Sequence, residues 1–304
     1  MKNKIVERIN KLKEEKNAII LAHNYQIPEV QDIADFLGDS LDLAMKATNT
    51  DAENIIFCGV DFMAESAKIL NPDKNVIIPD INSKCPMAHM VNIKDLLKLK
   101  KKHRNAKVVS YINTTAETKS FTDICCTSSN GVKVVNSINA EKIIFLPDQN
   151  LGQFIKREIK DKEMIIWPGN CPTHHLIKVE DLINIKKQHP NSITLVHPEC
   201  RPEIIDMADY AFSTNGMVNF VRNSEINDFI IGTERDLCYR LKNENPEKNF
   251  YSIKTAICPN MKKITIDKVL NSLETLEPKI KLSKELMIKA KKPLQKMMDI
   301  GRGD

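Results

Sequence analysis

The chain has 304 residues, 42% of them hydrophobic and 28% charged, with a formal net charge of +5. That balance excludes general disorder, and no apolar run approaches the roughly 18 residues of a membrane span. Residues 1–16 mix Lys, Arg and Glu without an apolar stretch, so no secretory signal and a cytoplasmic location are expected.

In chain order, the aliphatic run 18–22 has the character of a strand buried on both faces. Residues 28–37 carry helical spacing with a proline near the first turn. Asp39-Ser40 form a loop, and a helix is expected over 41–48. A strand at 54–57 leads through Gly59 into a helix at 62–70, and a last strand at 75–78 delivers the chain to Cys85. The order βαβαβ predicts a parallel sheet covered by helices. The basic run 98–107 follows as the wet end of a helix. It has no interleaved aromatics and aromatics make up 5% of the chain, so no nucleic-acid partner is expected.

The same series then recurs twice. Cys85-Pro86, Cys171-Pro172 and Cys258-Pro259 are 86 and 87 residues apart. His23, Tyr111 and His197 recur at 88 and 86, as do Ser40, Ser128 and Thr214. The runs ENIIFCGVDF, EKIIFLPDQN and DFIIGTERDL line up, and Asp95, Asp181 and Asp267 recur at 86 and 86. Five landmarks in one order predict three repeats. The expected fold is α/β: three pseudo-threefold-related units, each a small parallel sheet sandwiched by helices in three layers. The expected boundaries are 1–88, 89–174 and 175–262. A helical segment at 263–304 completes the fold, with a helix capped by Ser283. Ligands of open α/β sheets sit beyond the carboxyl ends of the strands, so three such edges facing one another predict a single central, polar, enclosed site.

The eight cysteines include no CxxC pair, and without an export signal they are expected to be thiols. Three thiolates from three repeats fit a zinc ion with a fourth ligand from His89, His174 or His175. They also fit a redox triad, or an iron–sulfur cluster in which one iron keeps an open position for Lewis-acid chemistry. A repeated Cys-Pro turn is the structural alternative, but it gives no reason for cysteine in all three copies. Cys58, Cys125, Cys126, Cys200 and Cys238 do not recur and are expected to be buried apolar residues, Cys126 and Cys200 being nearest the site.

The repeats differ where chemistry needs asymmetry. The first offers His23 and Tyr25, the second Tyr111 and Asn113, the third His197 and Glu199, a set able to move protons in both directions. Ser40, Ser128 and Thr214 stand at expected helix starts, where they act as caps or present hydroxyls and N–H groups to a carboxylate or phosphate. Their common register favours anion binding.

The set HNYQ from His23, GDS from Gly38, YINTTAE from Tyr111, CTSSN from Cys126, LPDQNLG from Leu146, HPEC from His197 and STNGM from Ser213 resembles the quinolinate synthase family over nearly the whole chain. The resemblance implies condensation of iminoaspartate with dihydroxyacetone phosphate to quinolinate, phosphate and water, in de novo NAD biosynthesis. It also implies an oxygen-sensitive 4Fe-4S cluster on Cys85, Cys171 and Cys258 with one iron open to substrate, and an L-aspartate oxidase or dehydrogenase upstream. The residues matching the family's substrate-binding positions are His23, Ser40, Tyr111, Ile112, Asn113, Ser128, His197, Pro198, Glu199 and Thr214. Glu199 is the expected general base, assisted by Tyr25, Tyr111 and His23. Longer members carry a CxxCxxC run at the third ligand. Here it reads Cys258-Pro259-Asn260-Met261, so no neighbouring disulfide switch is expected. Another 4Fe-4S hydro-lyase, or a metal-sensing interaction protein, are the alternative readings.

Overall fold

The computed structural model describes residues 2–304; Met1, the expected start of the first repeat, lies outside the described residues. Its twelve strands form three four-stranded sheets. The first contains β1 (Ala18–His23), β2 (Phe36–Gly38), β3 (Asn54–Cys58) and β4 (Asn75–Ile77) in the order β2-β1-β3-β4. The second, β5 (Lys107–Tyr111), β6 (Ile124–Cys126), β7 (Lys142–Leu146) and β8 (Glu163–Ile166), has the order β6-β5-β7-β8. The third, β9 (Ile193–Val196), β10 (Tyr210–Ala211), β11 (Asp228–Gly232) and β12 (Asn249–Ser252), has the order β10-β9-β11-β12. All pairings between these strands are parallel, as the aliphatic strands predict.

One expectation is corrected. Residues 28–37 are not one helix: the helix is confined to Pro28–Gln31, and Phe36–Gly38 is the edge strand β2. The cause is Asp35. Its carboxylate accepts the Ile20 N–H at 2.8 Å while its own N–H donates to the Ile20 carbonyl at 2.9 Å, which swings the chain alongside β1. Asp123 does the same to Val108, and Asp209 to Thr194, so each sheet gains a short edge strand from the same device.

Strand side chains alternate between two cores. Leu21, Ile55, Phe57, Val109, Ile143, Phe145, Leu195, Phe229 and Ile231 enter one core shared by the three units. The opposite faces fill separate cores: Ile20, Ile56 and Ile77 in the first unit, Val108, Ile144 and Leu146 in the second, Val196 and Ile230 in the third. The helix Lys284–Ile300 begins where Ser283 accepts the Leu286 N–H at 3.2 Å, as the sequence anticipates. It packs against the helices Asp61–Leu70 and Ala116–Ser120 and against β6, tying the first unit to the second. The helices Lys2–Glu15 and Ile266–Thr275 pack on each other and close the outer core of the first unit. Among the described residues no helix is long and apolar enough to cross a membrane.

Leu294, fully buried on the helix Lys284–Ile300, belongs to the shared core. Leu294→Ala is expected to cost about 2–5 kcal/mol, read as a lowered urea midpoint. A loss below about 0.5 kcal/mol would show that this helix adds little to the core.

Candidate active site

Each unit sends a loop from the carboxyl end of its first strand toward one cavity. His23 ends β1, Tyr111 ends β5 and His197 follows β9. The cavity is lined by His23, Tyr25, Ser40, Tyr111, Asn113, Ser128, His197, Glu199 and Thr214, together with Cys85, Cys171 and Cys258. Ile112 and Pro198 stand between these pairs but do not line it; Ile112 is buried in the shared core. Cys126 and Cys200 are buried and also do not line it.

The three cysteines in the lining are each anchored in the same way. The Cys85 N–H donates to Asp61 at 3.0 Å, the Cys171 N–H to Asp148 at 3.0 Å, and the Cys258 N–H to Glu234 at 3.3 Å. Each acid lies just beyond the third strand of its own unit. The backbone N–H three residues on, from Ala88, His174 or Met261, faces the corresponding sulfur and favours its thiolate. Burial nonetheless pushes all three thiols above the ordinary range, Glu199 and Cys85 adding to it at Cys171 and Cys258 at Cys85. Such a trio ionises together when a cationic centre replaces the protons. The donor set therefore fits a metal or cluster. Cys171 also belongs to a mixed group: its sulfur and ligand atoms of His174 and Glu199 all lie within 4.8 Å of one another.

Beside the sulfurs runs a polar chain. Tyr25 Oη lies 2.6 Å from Thr233 Oγ1, Thr233 Oγ1 lies 2.7 Å from His174 Nε2, and His174 Nδ1 lies 2.7 Å from Glu199 Oε2. With Glu199 ionised, one donor order satisfies every atom: Tyr25 to Thr233, Thr233 to His174, His174 to Glu199. Burial opposes ionisation of Glu199. Hydrogen bonds donated by His174 and Tyr111 favour the carboxylate, and the carboxyl is held well below its usual range. Burial, followed by the Glu199 charge, pushes Tyr25 and Tyr111 up, so both stay phenols. His23 Nδ1 accepts the Tyr25 N–H at 3.1 Å and His197 Nδ1 accepts the Glu199 N–H at 3.2 Å, which leaves the proton of each neutral ring on Nε2. Asn113 Nδ2 reaches Glu199 Oε1 at 3.4 Å, while its Oδ1 is buried without a partner among the described residues. A polar ligand in the cavity would satisfy it.

Each loop is held from beneath by a buried donor. Gln31 Nε2 donates to the carbonyls of Asn24 at 3.4 Å and Gln26 at 2.8 Å. Lys119, 88 residues on, donates to the carbonyls of Ile112 at 2.8 Å and of Thr114, the same two positions of its own unit. Asn150 donates to the Glu199 carbonyl at 2.9 Å. Thr233 and the acids Asp61, Asp148 and Glu234 were not singled out by the sequence reading. The acids recur at 87 and 86 residues in the aligned ENIIFCGVDF runs, a signal that could have found them. Thr233 aligns with Val60 and Pro147 and leaves no such trace.

A family model described as Quinolinate synthetase A protein matches residues 7–299. The chain is 51% identical over 301 residues to the quinolinate synthase of Thermodesulfovibrio yellowstonii, covering 99% of each. It is 50% identical over 294 residues to the quinolinate synthase of Caldicellulosiruptor bescii, covering 96% of this chain and 97% of the relative. It is 47% identical over 297 residues to quinolinate synthase 1 of Methanosarcina acetivorans, covering 97% of each.

Two outcomes follow from the geometry. Burial lowers His23 to about 4 and His197 to about 3, so between those values and 6.5 the unfolded chain binds the extra protons. Stability must therefore fall as pH drops from 7 to 5, by about 1–2 kcal/mol per histidine. Urea midpoints at the two pH values measure it, and His197→Asn should shrink the difference. Lys119→Met strands two buried carbonyls, each costing about 1–3 kcal/mol, whereas Lys119→Gln restores the donor that the first unit uses. A Met variant at least as stable as the Gln variant would contradict the pinning role.

Proposed function

The chain belongs to the quinolinate synthase family, and from that membership we propose that it condenses iminoaspartate (iminosuccinate) with dihydroxyacetone phosphate to quinolinate, phosphate and water. The reaction serves de novo NAD biosynthesis in the cytoplasm, with the imine supplied by an L-aspartate oxidase or dehydrogenase. The observation that carries this reading is one cavity lined both by three symmetry-related cysteines and by an asymmetric proton chain ending at Glu199.

Cys85, Cys171 and Cys258 hold a 4Fe-4S cluster in this reading. When bound, it supplies an iron with an open position, a Lewis acid for a substrate carboxylate or hydroxyl. The protein does the rest. Glu199, ionised and aimed by His174 and Tyr111, removes protons during isomerisation and ring closure. Tyr25, kept protonated by burial, returns a proton to a departing hydroxyl and is refilled through Thr233 and His174. Neutral His23 and His197 present Nε2–H groups that hydrogen-bond substrate oxygens without fixing a second charge. Asn113 orients the base and completes its own Oδ1 on the substrate. Ser40, Ser128 and Thr214, one hydroxyl from each unit, seat the phosphate or carboxylate groups.

Glu199→Gln is expected to keep the brown chromophore and to lose about 10²–10⁴-fold in turnover; a fully active variant would remove the base role. Cys171→Ser should lose the chromophore in anaerobic preparations that otherwise hold about four irons per chain. Zinc in place of iron, with binding abolished equally by Glu199→Gln, would favour the mixed Cys171–His174–Glu199 group instead.

A further inference from the structure

The segment that follows the helix Lys284–Ile300 crosses back over all three units, bonding to residues beside the three hydroxyls. Arg302 donates from Nη1 to Asp39 Oδ2 at 2.9 Å and to Asp42 Oδ1 at 3.1 Å. From Nη2 it donates to Ser213 Oγ at 2.9 Å and to Asp304 Oδ1 at 2.9 Å. Asp304 Oδ2 in turn accepts the Ser213 N–H at 3.0 Å. On the second unit, Asn130 Nδ2 donates to the Gly301 carbonyl at 2.8 Å, and Lys133 Nζ to the Ile300 carbonyl at 2.8 Å. Gly303 lies so close to the Ser129 carbonyl that a β-carbon would stand 2.7 Å from it.

Apart from Lys133, the residues it grips, Asp39, Asp42, Asn130 and Ser213, precede or follow one of the three hydroxyls by one or two positions. Asp39 caps the helix Ser40–Thr48, accepting the N–H groups of Leu41 and Asp42 at 3.0 Å. Ser213 caps the helix Thr214–Asn223 through the Gly216 N–H at 3.1 Å. Asp39 is 7% exposed and itself lines the cavity. A bare carboxylate there is wrong for a cavity that takes anions, since it repels what the neighbouring hydroxyls would bind. Arg302, 23% exposed at its side chain, is the cation that meets it.

We propose that Arg302 is a positioning residue for substrate anions: its positive charge, set against Asp39 of the first unit and beside Ser213 of the third, offsets the Asp39 carboxylate where that carboxylate faces the cavity. The proposal rests on the reading of Ser40, Ser128 and Thr214 as an anion seat. Arg302 touches no substrate; it acts through Asp39. Burial opposes the ionised form of Asp39, and Arg302 is the largest influence restoring it, so the pair is charged on both sides.

The test is calorimetric titration of the full chain, anaerobically loaded with iron, with inorganic phosphate. Arg302→Gln is expected to weaken phosphate binding at least tenfold. Adding Asp39→Asn, which still caps its helix but carries no charge, should bring binding back to within threefold of the parent. Arg302→Lys, which keeps the charge without the fork, should also stay within threefold, and it serves as the comparison if the Gln variant fails to fold. Binding unchanged in Arg302→Gln, no recovery in the double variant, or a tenfold loss in Arg302→Lys would each overturn the role of Arg302 alone. A parent protein that binds no phosphate would overturn the anion seat and this proposal with it.

Discussion

The cavity depends on one bond made three times. A carboxylate just beyond the third strand of each unit, Asp61, Asp148 or Glu234, accepts the backbone N–H of that unit's cysteine. Through it the cysteine is referenced to the sheet rather than to its own loop, so three separately folded sheets can agree on the position of three sulfurs. A backbone amide is a firm reference, because it has no rotamer to choose. The side chain left free by this arrangement then needs only the short turn after proline to bring an N–H to its sulfur. The three acids have different companions. Asp61 lies 2.6 Å from His89, Glu234 lies 2.8 Å from Lys262, and Asp148 is fully buried with no ion-pair partner among the described residues.

Symmetry builds the frame and asymmetry sets what lines the cavity. The first and third units hold a histidine at the end of the first strand, each accepting the N–H two residues on, and so each supplying a neutral ring. The second places a tyrosine there, and a tyrosine beside Glu199 is a donor that steadies a carboxylate. Tyr25, Thr233, His174 and Glu199 come from three different units' segments, so no unit alone contains the hydrogen-bonded chain. Relative placement of the units therefore sets the geometry of this hydrogen-bonded chain.

Most of this frame was legible in the residues. Cys-Pro, the His/Tyr/His column and the Ser/Ser/Thr column recur because each serves one structural place, and repetition exposes places that single motifs hide. The edge strands were not legible. Phe36–Gly38 and its counterparts are two or three residues long, too short to show alternation, and are directed by an aspartate hydrogen-bonding across to the neighbouring strand. Thr233 was invisible for the opposite reason: it is unique to its unit, and an isolated threonine carries no periodic signal. Residues 28–37 read as one helix because Val30, Ile33 and Leu37 keep helical spacing, a pattern that the pull of Asp35 overrides.

The outer core of the first unit combines Ile20, Ile56 and Ile77 with Ile264, Val269 and Leu273. Ile77 and Ile264 are 187 residues apart. A ribosome adding about 5–20 residues per second takes about 10–40 s to cover that distance. Through that interval the first sheet has left the exit tunnel with one apolar face only partly covered, by the helix Lys2–Glu15, while the two later units are still being made. Nascent chains of this protein thus carry a timed exposure of hydrophobic surface, the kind that a holding chaperone recognises. Its length is set by translation speed and not by any rate of folding.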